Sequence, residues 1–284
     1  MRLFDRLFAG LQYLLPHHLL SALVRRFMRI RLKPVKNAQI VAIGTVIGAD
    51  WSEAKRQEPS EFADFNDFFT RELAPAARPI DPDPLSFVSP SDGTVSACGR
   101  VTSDRILQAK GKHYTVRSLL GNDPAFQAFH NGFFHTIYLS PGDYHRVHMP
   151  AAGKLQRTIH VPGRVFSVGP ATVREVANLF TRNERLVCLF ETSQGPMAVV
   201  LVGAMLVSSI ETVWSGVVTP PRAHKITTGD WSRRDIELQK GDEMGRFNMG
   251  STVIVLFPPA AVAALEDYES GDRVLMGQKL GRLR

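Results

Sequence analysis

The sequence predicts an α+β fold: amphipathic helices at the N-terminus, then a β-rich body of packed, mostly antiparallel sheets. Three observations carry this. Apolar residues recur with helical period through residues 3–33. Pro75, Pro79, Pro82 and Pro84 then punctuate a linker. From residue 86 onward the chain reads as short strands separated by turn residues.

The first helix is marked by Leu3, Phe4, Leu7, Phe8, Leu11, Leu14 and Leu15. Pro16 ends it and can open a second, HHLLSALVRRFMRIRLK. At about 100° per residue, Arg25, Arg26, Arg29 and Lys33 share one narrow stripe, with Leu20, Leu23, Phe27 and Ile30 roughly opposite. The net charge of +7 is located here. Residues 1–36 hold eight basic side chains against one acid, Asp5, while the remainder balances at 26 against 26. A basic amphipathic helix suits an anionic membrane surface. A helical pair docked on the core with a solvated charged face would give the same pattern. Charges break the apolar run and no small-residue cleavage site follows, which argues against a signal peptide. The longest apolar run, AVVLVGAMLVSSI (198–210), is too short to span about 30 Å as a helix. It is rich in Val after the turn signal Gly195-Pro196, so it reads as a buried strand. No aromatic groups interleave with the basic stripe, so nucleic acid is not the expected partner. The 284 residues allow one large domain, or a domain with an appendage. Cys98 and Cys188 make no disulfide framework, and a reducing, cytosolic setting is expected.

Phe62, Phe65, Phe68, Phe69 and Leu73 predict a further short amphipathic helix before the prolines. The boundary falls there: 1–84 forms a helical, membrane-associating region with its linker, and 85–284 forms the β-rich domain. Within that domain FVSPSDGTVSACGRV reads strand, turn, strand, and GFFHTIYLSPGDYHRVHMP reads likewise, with an irregular second strand. RLVCLFETSQGPMAVVLVGA reads as a hairpin, and KGDEMGRFNMGSTVIVLF closes the series. In the last, Thr252, Ile254 and Leu256 alternate with Val253, Val255 and Phe257.

Three constellations could carry chemistry. Asp92 lies in SPSDGTVS, where a turn aspartate ordinarily bonds its own backbone. His145 and His148 lie in DYHRVHMP; three apart, they face opposite sides of a regular strand and share a site only if the backbone is irregular. No cluster at ligand spacing completes a zinc site. Gly250 and Ser251 stand at the mouth of the last strand, where the plain reading is a strand entered through a glycine bend. Asp, His and Ser are also the makings of a nucleophile, its base and the base's orienter. The G-x-S-x-G elbow of a hydrolase is missing, and the serine opens a strand instead of a helix. The carbonyl of Gly250 lies within reach of the Ser251 hydroxyl, so the peptide bond between them is itself a candidate substrate.

These stretches resemble the bacterial phosphatidylserine decarboxylases, the pyruvoyl-dependent, membrane-associated type. The likeness rests on DFFTREL, SPSDGTVS, YLSPGDYHRVHMP, VPGRVFSV, NLFTRNERLVCLFET, GPMAVVLVGAMLVSSIETVW and EMGRFNMGSTVIVLF. They run in the family's order over about residues 60–257, and the tail 258–284 matches only in character. One departure is Met249, where members often carry Leu. The resemblance implies a zymogen that cuts itself between Gly250 and Ser251 into chains 1–250 and 251–284, which stay associated. It implies that Asp92 orients His148, that His148 takes the Ser251 proton, and that Ser251 becomes a covalent pyruvoyl cofactor. That group would form a Schiff base with the serine amine of phosphatidylserine and release CO₂, leaving phosphatidylethanolamine for phospholipid biosynthesis. His145 is the implied proton donor. The expected setting is peripheral, on the cytoplasmic side of the cell membrane, with the anionic bilayer as partner; a homodimer is compatible with the sequence. Two alternatives stand beside this reading: an uncleaved lipid-binding module, and a pyruvoyl decarboxylase of a soluble amino acid.

Overall fold

The computed structural model describes residues 2–109, 111–205, 209–221, 223–248 and 251–284. Helices come first: α1 (Arg2–Gln12), α2 (His17–Met28) and α3 (Lys33–Ile47), followed after a short turn by α4 (Phe65–Phe69). The second helix stops at Met28, five residues short of the expected end, and Lys33 instead opens a new helix with Pro34 in its first turn, where a missing N–H costs nothing. That helix, α3, covers a stretch whose periodicity gave no assignment. It ends at Gly48, whose φ of 69° is the left-handed cap glycine accepts without strain. In α4 the Asp64 side chain caps the first turn by accepting from the Asp67 N–H. Thr70 ends the helix before Leu73, its hydroxyl bonding the Asn66 carbonyl.

The expected apolar faces exist, but in α1 and α2 they point outward. Leu3, Leu7, Leu11, Leu19 and Leu23 are exposed. Apart from Met28 at the end of α2, the buried residues are small or polar: Ala9, Gln12, His17 and Ser21. Gln12 spans the junction with the body, donating to Thr172 Oγ1 at 3.1 Å and accepting from the Ser167 N–H at 2.8 Å. A core of their own holds the later helices, with Phe62, Phe65, Phe68 and Phe69 packed against Met28 and Ile40. Among the described residues no single helix is long and apolar enough to cross a membrane.

The body is β-rich, as the sequence predicts, and its strand pairs are antiparallel apart from one isolated bridge. Among the described residues its main sheet has nine strands. Ser251–Phe257 lies near the middle, between Gly195–Gly203 and Phe133–Leu139. Ser251 pairs with Gly203 on one side and Leu139 on the other, and the register holds to Leu256↔Ala198 and Phe257↔Phe133. Ile254 and Leu256 enter one core with Phe166 and Phe180. Val253, Val255 and Phe257 enter the opposite core with Met244 and Phe247. Both faces are covered, which is why this strand is apolar on both. Arg185–Thr192 and Gly195–Gly203 form the expected hairpin.

The other two strand-turn-strand segments do not fold back on themselves. Ser86–Val88 pairs with Lys279–Leu283 in a separate three-stranded sheet, while Gly93–Arg100 joins the main sheet. Phe133–Leu139 is in the main sheet, while Arg146–His148 pairs with Glu243–Phe247 in a four-stranded one. Both turns therefore cross between sheets. They bring Asp92 and the two histidines into the seam.

Candidate active site

Ser251 is the first residue of its strand and is 1% exposed. Its hydroxyl is buried without a hydrogen-bond partner among the described residues. An orphaned buried hydroxyl costs roughly 1–3 kcal/mol, so the position is unfavourable for structure alone. Gly250, the other half of the expected scissile bond, lies outside the described residues, as does Met249. Just upstream, Asn248 is fixed from three sides. Its Nδ2 donates to Ser209 Oγ at 3.0 Å, its Oδ1 accepts from Asn66 Nδ2 at 2.8 Å, and its N–H donates to the Ser209 carbonyl at 2.9 Å. The chain is thus clamped on both sides of the Gly-Ser bond, by Asn248 before it and by the central strand after it.

His145 is wholly buried against the Phe69 ring, with ring centroids 4.0 Å apart. Its Nδ1 lies 2.8 Å from the Asp143 carbonyl, which can only accept, so Nδ1 carries the proton. Nε2 then presents a lone pair, and it has no partner among the described residues. Burial pushes this imidazole down to about 4, so it is neutral at physiological pH.

His148 is engaged at both nitrogens. Nδ1 donates to the Gly241 carbonyl at 2.8 Å, and Nε2 accepts from the Tyr144 hydroxyl at 2.9 Å. Desolvation also lowers its pKa, opposed by the Gly241 carbonyl and by the nearby carboxylates of Glu243 and Asp92. The expected Asp92–His148 hydrogen bond is not formed. Arg78 from the Pro-rich linker takes the Asp92 carboxylate instead, with Nε at 2.9 Å from Oδ1 and Nη2 at 2.6 Å from Oδ2. The Met276 N–H adds a bond of 2.8 Å to Oδ1. A planar, permanently charged fork outcompetes a neutral imidazole for a carboxylate. Asp92 therefore acts on His148 through its field, and Gly241 orients the ring. The two histidines have different hydrogen-bond partners, the Asp143 carbonyl for His145 and Gly241 with Tyr144 for His148. Among the described residues no His, Cys, Asp and Glu cluster could hold a metal ion.

The phosphatidylserine decarboxylase family model matches residues 65–282, and a second model, PSD, matches residues 7–43. The chain belongs to the phosphatidylserine decarboxylase family. It is 52% identical over 279 residues to a phosphatidylserine decarboxylase proenzyme of Pseudomonas fluorescens, covering 97% of both chains. Proenzymes of the same name from Xanthomonas campestris pv. campestris and Bordetella pertussis are each 50% identical. Those alignments cover 97% of this chain, and 98% and 94% of the relatives. The family match includes the tail, whose sequence showed no motif. The structure gives the tail a reason: Met276 and Arg273 reach back to Asp92 and Asp143.

Three residues that hold this constellation escaped sequence reading. Arg78 sits alone among prolines, Tyr144 is embedded in the histidine motif, and Asn248 looks like an ordinary loop residue. Only Tyr144 had a signal, being the hydroxyl nearest in sequence to both histidines.

Proposed function

We propose that this chain is a self-processing phosphatidylserine decarboxylase, converting phosphatidylserine to phosphatidylethanolamine and CO₂. The observation that carries this is the buried Ser251 hydroxyl, without a hydrogen-bond partner among the described residues and directly after Gly250 in sequence, in a chain about half identical to decarboxylase proenzymes over nearly its whole length. In maturation His148 takes the Ser251 proton, after Tyr144 releases Nε2, and Asp92 stabilises the resulting imidazolium. Ser251 Oγ attacks the Gly250 carbonyl carbon, and the peptide C–N bond breaks as the ester forms. Elimination frees the Gly250 carboxylate, and water then releases ammonia, leaving a pyruvoyl group on residue 251. A glycine before the serine leaves that carbonyl unshielded.

The buried hydroxyl between Leu139 and Gly203 suits such a group: it is fixed at one end of a strand held on both sides. Bound there, pyruvoyl supplies a carbonyl into which the electrons of the departing CO₂ can delocalise. The chain's own contribution is proton management. A substrate ammonium must lose a proton before its nitrogen can attack. His145, whose Nε2 lone pair has no partner among the described residues, is the candidate to relay that proton to the α-carbon after CO₂ leaves.

The division into 1–84 and 85–284 assigns the first part to the membrane. The outward leucines of α1 and α2, together with the exposed Arg26 and Arg29, support peripheral attachment to the anionic cytoplasmic face of the cell membrane. Chains 1–250 and 251–284 stay together because the new N-terminal strand is paired on both edges and Arg273 holds Asp143 at 2.7 Å. Intact mass spectrometry tests the reading. Two chains are expected, the smaller one blocked by pyruvoyl. A free serine at its N-terminus would mean plain hydrolysis and overturn the mechanism. Ser251→Ala is expected to stay full length and inactive.

A further inference from the structure

A second buried group lacks the partner its chemistry demands. Arg71 is 3% exposed, yet among the described residues no carboxylate lies within ion-pairing distance of it. Its Nε has no hydrogen-bond partner, and Nη2 makes one long bond, 3.3 Å, to the Gly142 carbonyl. The guanidinium stands 5.5 Å from the Phe68 ring centroid. Desolvation lowers its pKa, with surrounding acids opposing. Those acids are committed elsewhere: Asp92 and Glu53 to Arg78, Asp143 to Arg273, and Asp50 to Ser52. A buried guanidinium with unused donors is costly, and an arriving anion would remove that cost.

Arg71 lines a cavity of about 240 Å³ whose wall includes Ser140, Asp143 and Tyr144, the turn leading into His145. Ile47 and Gly48, at the end of α3, also line it. These two parts are pressed together, since a Cβ on Gly142 would come within 2.3 Å of the Ile47 carbonyl oxygen. On α3, Val46 is 85% exposed, so an apolar surface continues from the cavity rim. The guanidinium therefore shares one cavity with the end of α3 and with the turn leading into His145.

We propose that Arg71 binds the phosphodiester of the substrate head group at the junction of α3 and the Ser140–Asp143 turn. This rests on the decarboxylase reading above. Phosphate is the right anion. An arginine clamped on the serine carboxylate would stabilise a charge that disappears as CO₂ leaves, whereas the phosphate keeps its charge throughout. The fork of Arg71 matches a phosphodiester in two donors.

The test compares wild type with Arg71→Met, first by gel for cleavage. Calorimetry then measures glycerophosphoethanolamine, a head group with no carboxyl to lose, against ethanolamine, which has the same amine but lacks phosphate. The variant is expected to cut normally and bind ethanolamine unchanged. It should lose roughly tenfold to a hundredfold in affinity for glycerophosphoethanolamine, with a matching rise in KM for phosphatidylserine in mixed micelles. Equal losses for both ligands, or no loss, would overturn the proposal. Inorganic phosphate binding as tightly as glycerophosphoethanolamine would make this a free-phosphate site and overturn the head-group assignment. Should the Met variant stay uncut, Arg71→Lys replaces it, keeping the charge without the fork, and an intermediate loss supports the proposal. Failure of both to cut would assign Arg71 to maturation, against the proposal. If wild type releases no CO₂ from phosphatidylserine, the decarboxylase reading fails separately, and the binding comparison still decides the phosphate contact.

Discussion

Helices α1 and α2 and the strand Ser251–Phe257 are both rich in Leu, Ile, Val and Phe, yet they wear them in opposite directions. Leu3 and Leu7 are 69% and 62% exposed, while Val253 to Phe257 are at most 1% exposed. The polar residues invert as well. Gln12, His17 and Ser21 are buried beneath the helices, whereas the strand's neighbours are apolar on both faces. Exposing so many leucines forfeits about 25 cal/mol for each Å² left in water, so a continuous outward face marks a surface that something else covers. Within the body the informative exceptions run the other way. Buried polar atoms at the seam, His145 Nε2 and Ser251 Oγ among them, have no hydrogen-bond partner among the described residues.

If those exceptions are kept for chemistry, changing one should spare the fold and cost the rate. His145→Ala is expected to cut itself normally and to turn over roughly 10²–10⁴-fold more slowly, the usual cost of losing one general acid–base group. A gel reports the cut, and CO₂ release reports the rate. A full-length band would move His145 into maturation. Normal turnover would make its burial merely structural and erase the contrast with the strand's apolar residues.

The strand itself should behave as core. Ile254→Ala removes a fully buried side chain between two layers and is expected to cost about 2–5 kcal/mol. Urea unfolding is best read in a Ser251→Ala background, where one uncut chain keeps the transition interpretable. A loss below about 1 kcal/mol would mean that the strand is looser than its double pairing implies.

Acid should find the same body weak. His135 and His145 are buried neutral, each pushed down to about 4 by desolvation. Their unfolded value is near 6.5, so below that pH the unfolded chain binds protons that the folded chain refuses. Stability is then lost progressively from about pH 6.5 down to about pH 4, by on the order of 3 kcal/mol per histidine. Unfolding of the uncut protein at pH 7 and pH 4.5 checks the sign. A protein equally stable at both would mean that the two rings are hydrated.

The contrast also explains what could be read from sequence. Alternation in 251–257 reports which residues share a face, and with both faces apolar it reports burial too. Helical period in α1 reports a face without saying whether anything packs on it, so the charged stripe left two readings open. Asp92, His145, His148 and Ser251 were legible because each sits in a distinctive local motif. The Arg78 grip on Asp92 was not. It joins a linker to a turn 14 residues away, and the crossing of that turn between sheets decides it. Arg71 was hidden differently: its significance is that no carboxylate among the described residues pairs with it, which no local pattern records.

The smallest expected effect on folding lies at the helical end, and it is the sharpest test of the contrast. Leu7 and Leu11 are exposed on α1. Replacing both with Ser should change stability by no more than about 0.5 kcal/mol each, as for ordinary surface positions. The same change removes two apolar groups that bilayer insertion would bury, each contributing about 1.5–3 kcal/mol. Flotation with vesicles containing phosphatidylserine should therefore show binding reduced by at least roughly a hundredfold. Self-cleavage, which needs no membrane contact in this scheme, should be untouched. A stability loss above about 1 kcal/mol would show that the outward face is packed after all. Unchanged vesicle binding would show that the basic stripe alone holds the protein to the surface.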